Sequence, residues 1–185
     1  PIIVPDDIRG KRVLIVDDNA TNRHILRDQM ASWGCRFGEV PGACEALDVL
    51  QQAAIRQTPF DIAIIDMQMP GMDGEMLGTR IKSDESIRDT AMVMMTSMGD
   101  RGDAKRFTDI GFAAYLTKPV KSSQLYDCLT TVMGRRNEKP KGAPAPLITR
   151  HSLAEDRRQR FRILLAEDNL VNQKVATAIL KKLGY

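Results

Sequence analysis

Residues 62–74 have the sequence IAIIDMQMPGMDG, and this stretch decides the fold class. Its first four residues are Ile and Ala only, which is typical of a strand covered on both faces of a parallel sheet. The strand ends in an acidic residue, Asp66, and the pairs Pro70-Gly71 and Asp73-Gly74 favour a turn directly after it. Open α/β sheets place their functional site at the carboxyl ends of such strands.

The rest of residues 11–134 alternates short apolar runs with amphipathic segments. Apolar residues at spacings of three and four predict the helices, and Gly34 and Gly111 are predicted to end two of them in the left-handed conformation. Five strand–helix alternations predict an α/β domain with a five-stranded parallel sheet and helices on both faces. The other four predicted strands are Val13–Val16, Phe37–Val40, Ala91–Met95 and Ala113–Leu116.

Composition divides the remaining chain. Residues 1–10 form a lead-in, and residues 135–160 form a linker that contains three prolines and eight Lys or Arg against three Asp or Glu. This composition predicts an extended, flexible tether, and the alternative is a docking strip for an acidic partner or nucleic acid. The net charge of the whole chain is only +3, so no nucleic-acid partner is expected.

Residues 162–185 repeat residues 12–35 at an offset of 150, with six identical positions. The repeat predicts that residues 161–185 are the first strand and first helix of a second, truncated domain copy. This copy keeps the acidic pair Glu167-Asp168 but has no counterpart of Asp66, Thr96 or Lys118 within the chain. Its helix would expose an apolar stripe, so we expect it to dock on the first domain or to self-associate with another copy.

Polar residues end four of the predicted strands. Asp17 and Asp18 follow the first strand, Asp66 the third, Thr96 the fourth and Lys118 the fifth. Three carboxylates at one edge would repel each other without a cation, and Mg²⁺, which takes about six oxygen ligands, is the natural choice. Asp18 and Asp66 could ligate the ion directly and Asp17 through water. A main-chain carbonyl after Asp66 could be the last ligand that the protein provides.

These groups are suited to phosphoryl transfer. Lys118 offers a point charge and Thr96 a hydroxyl donor to phosphoryl oxygens. The sequence has no Walker loop or glycine-rich phosphate loop, so nucleotide binding is not predicted. A carboxylate nucleophile that forms an aspartyl phosphate is predicted, and Asp66 is the candidate because it ends the central strand while the other two acids sit together.

Asp17-Asp18, the Asp66–Gly74 stretch, Thr96 and Lys118-Pro119 resemble the signature of two-component receiver domains. The resemblance covers residues 11–134 completely and 161–185 in part. The segments DDNATNR and AEDNLVNQK are most similar to the tandem receivers of hybrid sensor histidine kinases. The resemblance implies a phosphorelay function and a flavodoxin-like doubly wound sheet with strand order 2-1-3-4-5.

The resemblance also implies roles for the acidic residues. Asp66 is expected to accept a phosphoryl group from the phosphohistidine of a histidine kinase or histidine phosphotransfer domain. Asp17, Asp18 and the main-chain carbonyl of Gln68 are expected to hold Mg²⁺ (or Mn²⁺) together with Asp66.

Further implied roles concern the last two strands. Lys118 is expected to contact the phosphoryl group, and its peptide bond with Pro119 is expected to be cis. Thr96 is expected to move toward the phosphoryl oxygens, and the ring of Tyr115 is expected to fill the space that Thr96 leaves, which would switch the surface around it.

Two rival functions are kept. The first is a receiver-like docking module that is never phosphorylated and regulates a kinase. The second is a hydrolase of the haloacid-dehalogenase type, which also uses Asp, Thr or Ser, Lys and Mg²⁺. That class needs an Asp-x-Asp on its first strand, whereas this strand ends in Asp17-Asp18-Asn19.

The cellular compartment is predicted from the cysteines and the hydropathy. Three scattered cysteines favour the reducing cytoplasm over a disulfide framework. No apolar run approaches the ~18–20 residues of a membrane span, so no membrane contact is expected from this segment. The parent protein is expected to be a hybrid histidine kinase, and whether it is anchored in the inner membrane is left open. These residues contain no kinase catalytic segments.

Overall fold

The computed structural model describes residues 8–97, 103–137, 147–149 and 164–183. The chain divides into two compact units, one that ends at Thr149 and one that follows it. The second unit contains helix α6 (Leu170–Leu183). The described part of the first unit contains, in chain order, β1 (Arg12–Val16), α1 (Ala20–Ser32), β2 (Arg36–Val40), α2 (Ala43–Ile55), β3 (Ile62–Asp66), α3 (Gly74–Ser83), β4 (Ala91–Thr96), α4 (Asp103–Ile110), β5 (Ala114–Thr117) and α5 (Ser122–Asn137).

The five strands form one parallel sheet in the order β2-β1-β3-β4-β5, which confirms the predicted topology. The register pairs Val13 with Ile62, Ile62 with Ala91, and Val93 with Ala114. The carboxyl ends of β1, β3 and β4 therefore meet at one edge of the sheet. The order reverses between β1 and β3, which is the switch point where such sheets bind ligands.

Strand β3 lies at the centre of the sheet, and all five of its residues are buried. Ile64 and Ile65 point to opposite faces, and neither is more than 1% exposed, so helices cover both faces. By contrast β2 is an edge strand, and Arg36, Phe37 and Glu39 are exposed.

Side chains and glycines set the ends of the helices. The Oδ1 atom of Asn19 accepts the N–H groups of Thr21 and Asn22 at 2.9 and 3.3 Å and so caps α1. Gly34 and Gly111 have φ angles of 72° and 101°, which confirms the predicted left-handed ends.

The structure describes the end of the lead-in and a short part of the predicted linker. Residues 1–7 lie outside the described residues, but Ile8 is fully buried and its carbonyl accepts the Cys35 thiol at 3.3 Å. Most of the linker also lies outside the described residues, whereas Leu147–Thr149 lie against the edge of β5, where Ile148 bridges to Ala114. These three residues are ordered by backbone pairing, which composition did not predict.

The second unit is described from residue 164 to residue 183. Residues 164–169, where the repeat predicts the opening strand, form no strand, because a strand needs a hydrogen-bonded neighbour and none lies beside them in the described part of this unit. Helix α6 is present, and Leu164, Val175 and Ile179 are each more than half exposed. Within the described part of the chain, no helix has the length and apolarity that a membrane crossing needs.

Candidate functional site

The sheet brings the side chains that were predicted from the strand ends to one place. Asp17 follows β1, Asp66 ends β3 and Thr96 ends β4, and these three residues are 2%, 7% and 5% exposed. Lys118 follows β5, and its backbone N–H donates to the carbonyl of Thr96 at 2.7 Å. This bond extends the pairing of β4 with β5 by one residue and turns Lys118 toward the site.

Lys118 joins two of the three acids. Its ammonium group lies 2.9 Å from Oδ1 of Asp66 and 3.1 Å from Oδ2 of Asp17. The side chain therefore passes over the end of β4 to reach both β3 and β1. The peptide bond between Lys118 and Pro119 is cis.

The carboxylates of Asp17, Asp18 and Asp66 form a cluster in which one oxygen of each lies within 4.8 Å of the others. Asp17 and Asp66 are buried, whereas Asp18 is exposed at the mouth of the site. A cleft of about 730 Å³ opens above the cluster, and Gln68 and Ser97 also line it. Closely spaced oxygen ligands beside open space fit a hard divalent cation such as Mg²⁺ better than a soft metal.

Two residues that hold the acids in place were not identified from the sequence. The amide of Asn22 donates to both carboxylate oxygens of Asp17, at 3.1 and 3.3 Å. The guanidinium group of Arg23 donates to the main-chain carbonyls of Asp17 and Asp18 at 2.7 and 3.0 Å. Asn22 could have been identified from the sequence, because it is one of the six identical positions of the internal repeat, with Asn172 as its counterpart.

The second unit forms the same local turn. The side-chain amide of Gln173, the counterpart of Arg23, donates to the carbonyl of Glu167 at 2.6 Å. The N–H of Asn169 donates to the carboxylate of Glu167 at 3.0 Å, as the N–H of Asn19 does to Asp17 at 2.9 Å. Matching residues therefore form matching hydrogen bonds in the two units.

Burial and charge act against each other at Asp66 and Lys118. Burial raises the pKa of Asp66, and the hydrogen bond and charge of Lys118 offset part of this rise. Burial lowers the pKa of Lys118, but hydrogen bonds and charges from Asp66 and Asp17 outweigh it, so the pKa of Lys118 lies above its ordinary value. Lys118 is therefore cationic at neutral pH, and Asp66 is a more basic carboxylate than an exposed one, which favours it as a nucleophile.

A close backbone approach shapes the loop after Asp66. A Cβ atom added to Gly74 would lie 2.5 Å from the carbonyl oxygen of Asp66 and 3.1 Å from Cα of Met67. The N–H of Gly74 donates to the carbonyl of Met67 at 3.0 Å. Glycine at this position therefore lets α3 begin directly beside the acidic residue.

Tyr115, the predicted switch residue, lies on β5 away from the cleft. Its side chain is partly buried, and its ring centroid lies 5.5 Å from that of Phe107 in α4. The ring thus packs between β5 and α4, on the surface that the resemblance connects with switching.

An apolar cavity of about 420 Å³ lies beside the acidic cleft, between α1 and α5. Ile25 of α1 and Leu125 of α5 line it together with Asp17 and Lys118. Ile25 is 51% exposed, so the cavity opens to solvent next to the charged residues.

Comparisons with known proteins agree with this geometry. The family described as the response regulator receiver domain matches residues 13–130. The sensor protein GacS of Pseudomonas syringae pv. syringae is 31% identical over 141 residues, which cover 74% of this chain and 15% of that protein. The response regulator PleD of Caulobacter vibrioides is 33% identical over 115 residues, which cover 62% of this chain and 24% of that protein. The chain thus spans less than a quarter of the length of these relatives.

Solved structures are similar as well. The receiver domain of a sensor histidine kinase from Pseudomonas aeruginosa PAO1, solved with a magnesium ion coordinated in its active-site cleft, is 25% identical with a TM-score of 0.60. The match covers 68% of this chain and 98% of that one. The Vibrio cholerae chemotaxis protein CheY4 is 24% identical with a TM-score of 0.61, over 66% of this chain and 98% of that one, and it supports the fold alone.

Proposed function

Because this chain belongs to the response regulator receiver domain family, we propose that its first unit accepts a phosphoryl group on Asp66 in a two-component phosphorelay. One observation carries the proposal, namely the contact of the Lys118 ammonium group with the buried carboxylates of Asp66 and Asp17. A cation held beside a basic carboxylate that lines an open cleft is suited to receive the charge of an incoming phosphoryl group.

The transfer proposed here is from a phosphohistidine. A carboxylate oxygen of Asp66 attacks phosphorus, the P–N bond breaks, and the histidine nitrogen leaves with the bonding electrons and takes up a proton from solvent. Lys118 pairs with a phosphoryl oxygen in place of one of its carboxylate contacts, and the hydroxyl of Thr96 donates to another. The protein accelerates the transfer by positioning the reactants and neutralising charge, rather than by acid–base chemistry.

Mg²⁺ is the cofactor that we propose for this site, and Mn²⁺ is a possible substitute because it prefers the same oxygen ligands. Asp17, Asp18 and Asp66 would hold it, with the main-chain carbonyl of Gln68 as a further ligand. The spacing of the three carboxylates supports this set, as does the magnesium in the similar Pseudomonas aeruginosa receiver. When bound, the ion supplies positive charge to the phosphoryl oxygens.

The proposed donor is a histidine kinase or a histidine phosphotransfer domain, and the proposed parent protein is a hybrid sensor histidine kinase. The similarity to the sensor protein GacS supports this parent. A donor protein must bring its histidine to Asp66, and the apolar cavity next to the cleft, with Ile25 exposed at its rim, gives it a surface to dock on.

Two further parts of the proposal concern switching and location. Thr96 and Tyr115 are proposed to form the switch, since Thr96 ends β4 at the site and Tyr115 packs against α4. A cytoplasmic location is proposed because Cys35, Cys44 and Cys128 are all free thiols. Self-association through residues 161–185 is proposed from the exposed apolar residues of α6.

Intact mass after incubation with a small-molecule phosphodonor, with and without Mg²⁺, tests the proposal. The expected result is a Mg²⁺-dependent gain of one phosphoryl group in the wild type and in Asp89→Asn, which changes an exposed aspartate, and no gain in Asp66→Asn. No gain in the wild type under any condition would favour the rival function, a docking module that is never phosphorylated.

A further inference from the structure

Residues 147–149 lie along the outer edge of β5, where Ile148 forms an isolated bridge to the sheet. The N–H of Ile148 donates to the carbonyl of Ala113, and the N–H of Tyr115 donates to the carbonyl of Ile148, both at 3.0 Å. Ile148 thereby forms a parallel bridge with Ala114, on the side of β5 that faces away from β4. The outer edge of β5 is therefore paired with the chain's own linker.

Side chains fix this contact as well as the backbone. Ile148 is only 1% exposed, as deep as the residues of the sheet core, and Leu147 packs against the same hydrophobic cluster as Tyr115. The preceding sequence favours a short contact. Pro144 and Pro146 come just before it, and proline cannot donate to a sheet ladder. The Leu147-Ile148 pair, inside a basic, proline-containing segment, thus packs at a defined position on the edge of β5.

The position of this contact matters because edge strands recruit extended segments. An open edge presents unpaired N–H and carbonyl groups to any chain that can pair with them, and many recognition domains use such an edge to bind peptides. Here the edge belongs to the strand that carries Tyr115, whose ring packs on Phe107 at 5.5 Å. Any partner strand at this edge must compete with residues 147–149.

We propose that the outer edge of β5 is a strand-docking surface that residues 147–149 fill in cis. A partner that binds there is an extended segment with a β-branched apolar residue at the position of Ile148, and it binds after the linker segment has left. The linker thereby controls access to the Tyr115 surface. The importance of this surface for signalling rests on the proposed function, but the docking itself does not depend on phosphorylation.

Amide hydrogen exchange of the full chain, without Mg²⁺ or phosphodonor, tests the contact. In Ile148→Asp the Tyr115 amide is expected to exchange at least tenfold faster than in the wild type, because a carboxylate cannot enter the buried position. Ile148→Val, which keeps the shape and the hydrogen bonds, is expected to match the wild type. The Lys118 amide, which donates to Thr96 in β4, serves as the internal reference and should not change. Equal Tyr115 exchange in the wild type and Ile148→Asp would overturn the proposal.

Binding of a labelled peptide with the sequence of residues 143–151 (APAPLITRH) provides a second measurement. The peptide is expected to bind the full-length Ile148→Asp chain at least tenfold more tightly than the wild type, whose edge is filled at a high effective concentration. A peptide with Asp at the Ile148 position is expected not to bind. Equal binding to both chains, or no binding to either, would contradict a strand-docking edge. Should Ile148→Asp not fold, Ile148→Ser takes its place in both experiments.

Discussion

The ammonium group of Lys118 lies 2.9 Å from Oδ1 of Asp66, although β4 separates their two strands in the sheet. The same group lies 3.1 Å from Asp17, so one cation balances two buried carboxylates. A phosphoryl group on Asp66 would add negative charge at the point that Lys118 already occupies.

Replacing Lys118 with Ala is expected to slow phosphorylation of Asp66 by a small-molecule donor by about 10²-fold, the effect of losing one preorganised charged donor. The rate is measured by intact mass over time at saturating Mg²⁺. Lys121→Ala is the matched control, since Lys121 is an exposed lysine three residues further on. Equal rates for Lys118→Ala and the control would show that Lys118 does not act in the transfer.

Arg23→Ala is expected to weaken Mg²⁺ binding about 5- to 150-fold, because it removes two hydrogen bonds to the carbonyls of Asp17 and Asp18, each contributing about 0.5–1.5 kcal/mol. Arg23→Gln is expected to keep most of the affinity, since Gln173 makes the equivalent bond to Glu167 in the repeat. Calorimetric titration of Mg²⁺ measures both. An unchanged affinity in Arg23→Ala would show that the loop holds its shape without this side chain.

Asp66→Asn is expected to raise the thermal unfolding midpoint in the absence of Mg²⁺ at neutral pH. The pKa of Asp66 is raised by burial, so the folded state favours its protonated form. The free energy of unfolding of the wild type therefore falls as the pH rises from the ordinary aspartate pKa through the raised one. Thermal unfolding between pH 4 and pH 8 checks this, and the neutral amide should remove that part of the pH dependence. A midpoint in Asp66→Asn below that of the wild type at every pH would refute the prediction.

Gly74→Ala is expected to destabilise the fold by about 1–3 kcal/mol, because the added methyl group would meet the Asp66 carbonyl oxygen at 2.5 Å. Gly134→Ala, in α5, has open space around it and is expected to stabilise by roughly 0.5–1 kcal/mol through helix propensity. Urea unfolding of both variants measures the difference. Similar stabilities would mean that the loop after Asp66 moves to accept the methyl group.

Cys128 is expected to resist alkylation in the native protein at pH 8, whereas Cys44 reacts. Burial raises the pKa of the Cys128 thiol to about 12, so only about one molecule in 10⁴ carries the reactive thiolate at this pH. Cys44 is exposed. Peptide mass mapping after brief treatment with iodoacetamide, with Cys44→Ser as the control, distinguishes the two sites. Alkylation of Cys128 at a rate similar to that of Cys44 would show that α5 opens readily.

Strand positions were predictable because buried parallel strands need continuous apolar residues, whereas the strand order was implied by the resemblance to receiver domains. The runs around Val13, Ile62 and Ala91 were located to within one residue at each end. The packing of the first helix was less predictable, since its apolar residue Ile25 is 51% exposed and lines the cavity beside α5. The spacing of apolar residues predicts that a helix has an apolar face. It does not predict which residues at the sides of that face a neighbouring helix will cover.

The sequence by itself determined the sheet, its carboxyl edge, and the presence of Asp17, Asp66 and Lys118 at that edge, because these follow from local apolar runs and the residues that end them. The repeated residues around Asn19 and Asn169 make the same local hydrogen bonds in both units. Only the tertiary structure decided that Lys118 contacts both acids and that Ile148 pairs with β5. Such contacts join residues far apart in the chain, so they depend on where strands and side chains meet in space, and no local periodicity encodes them.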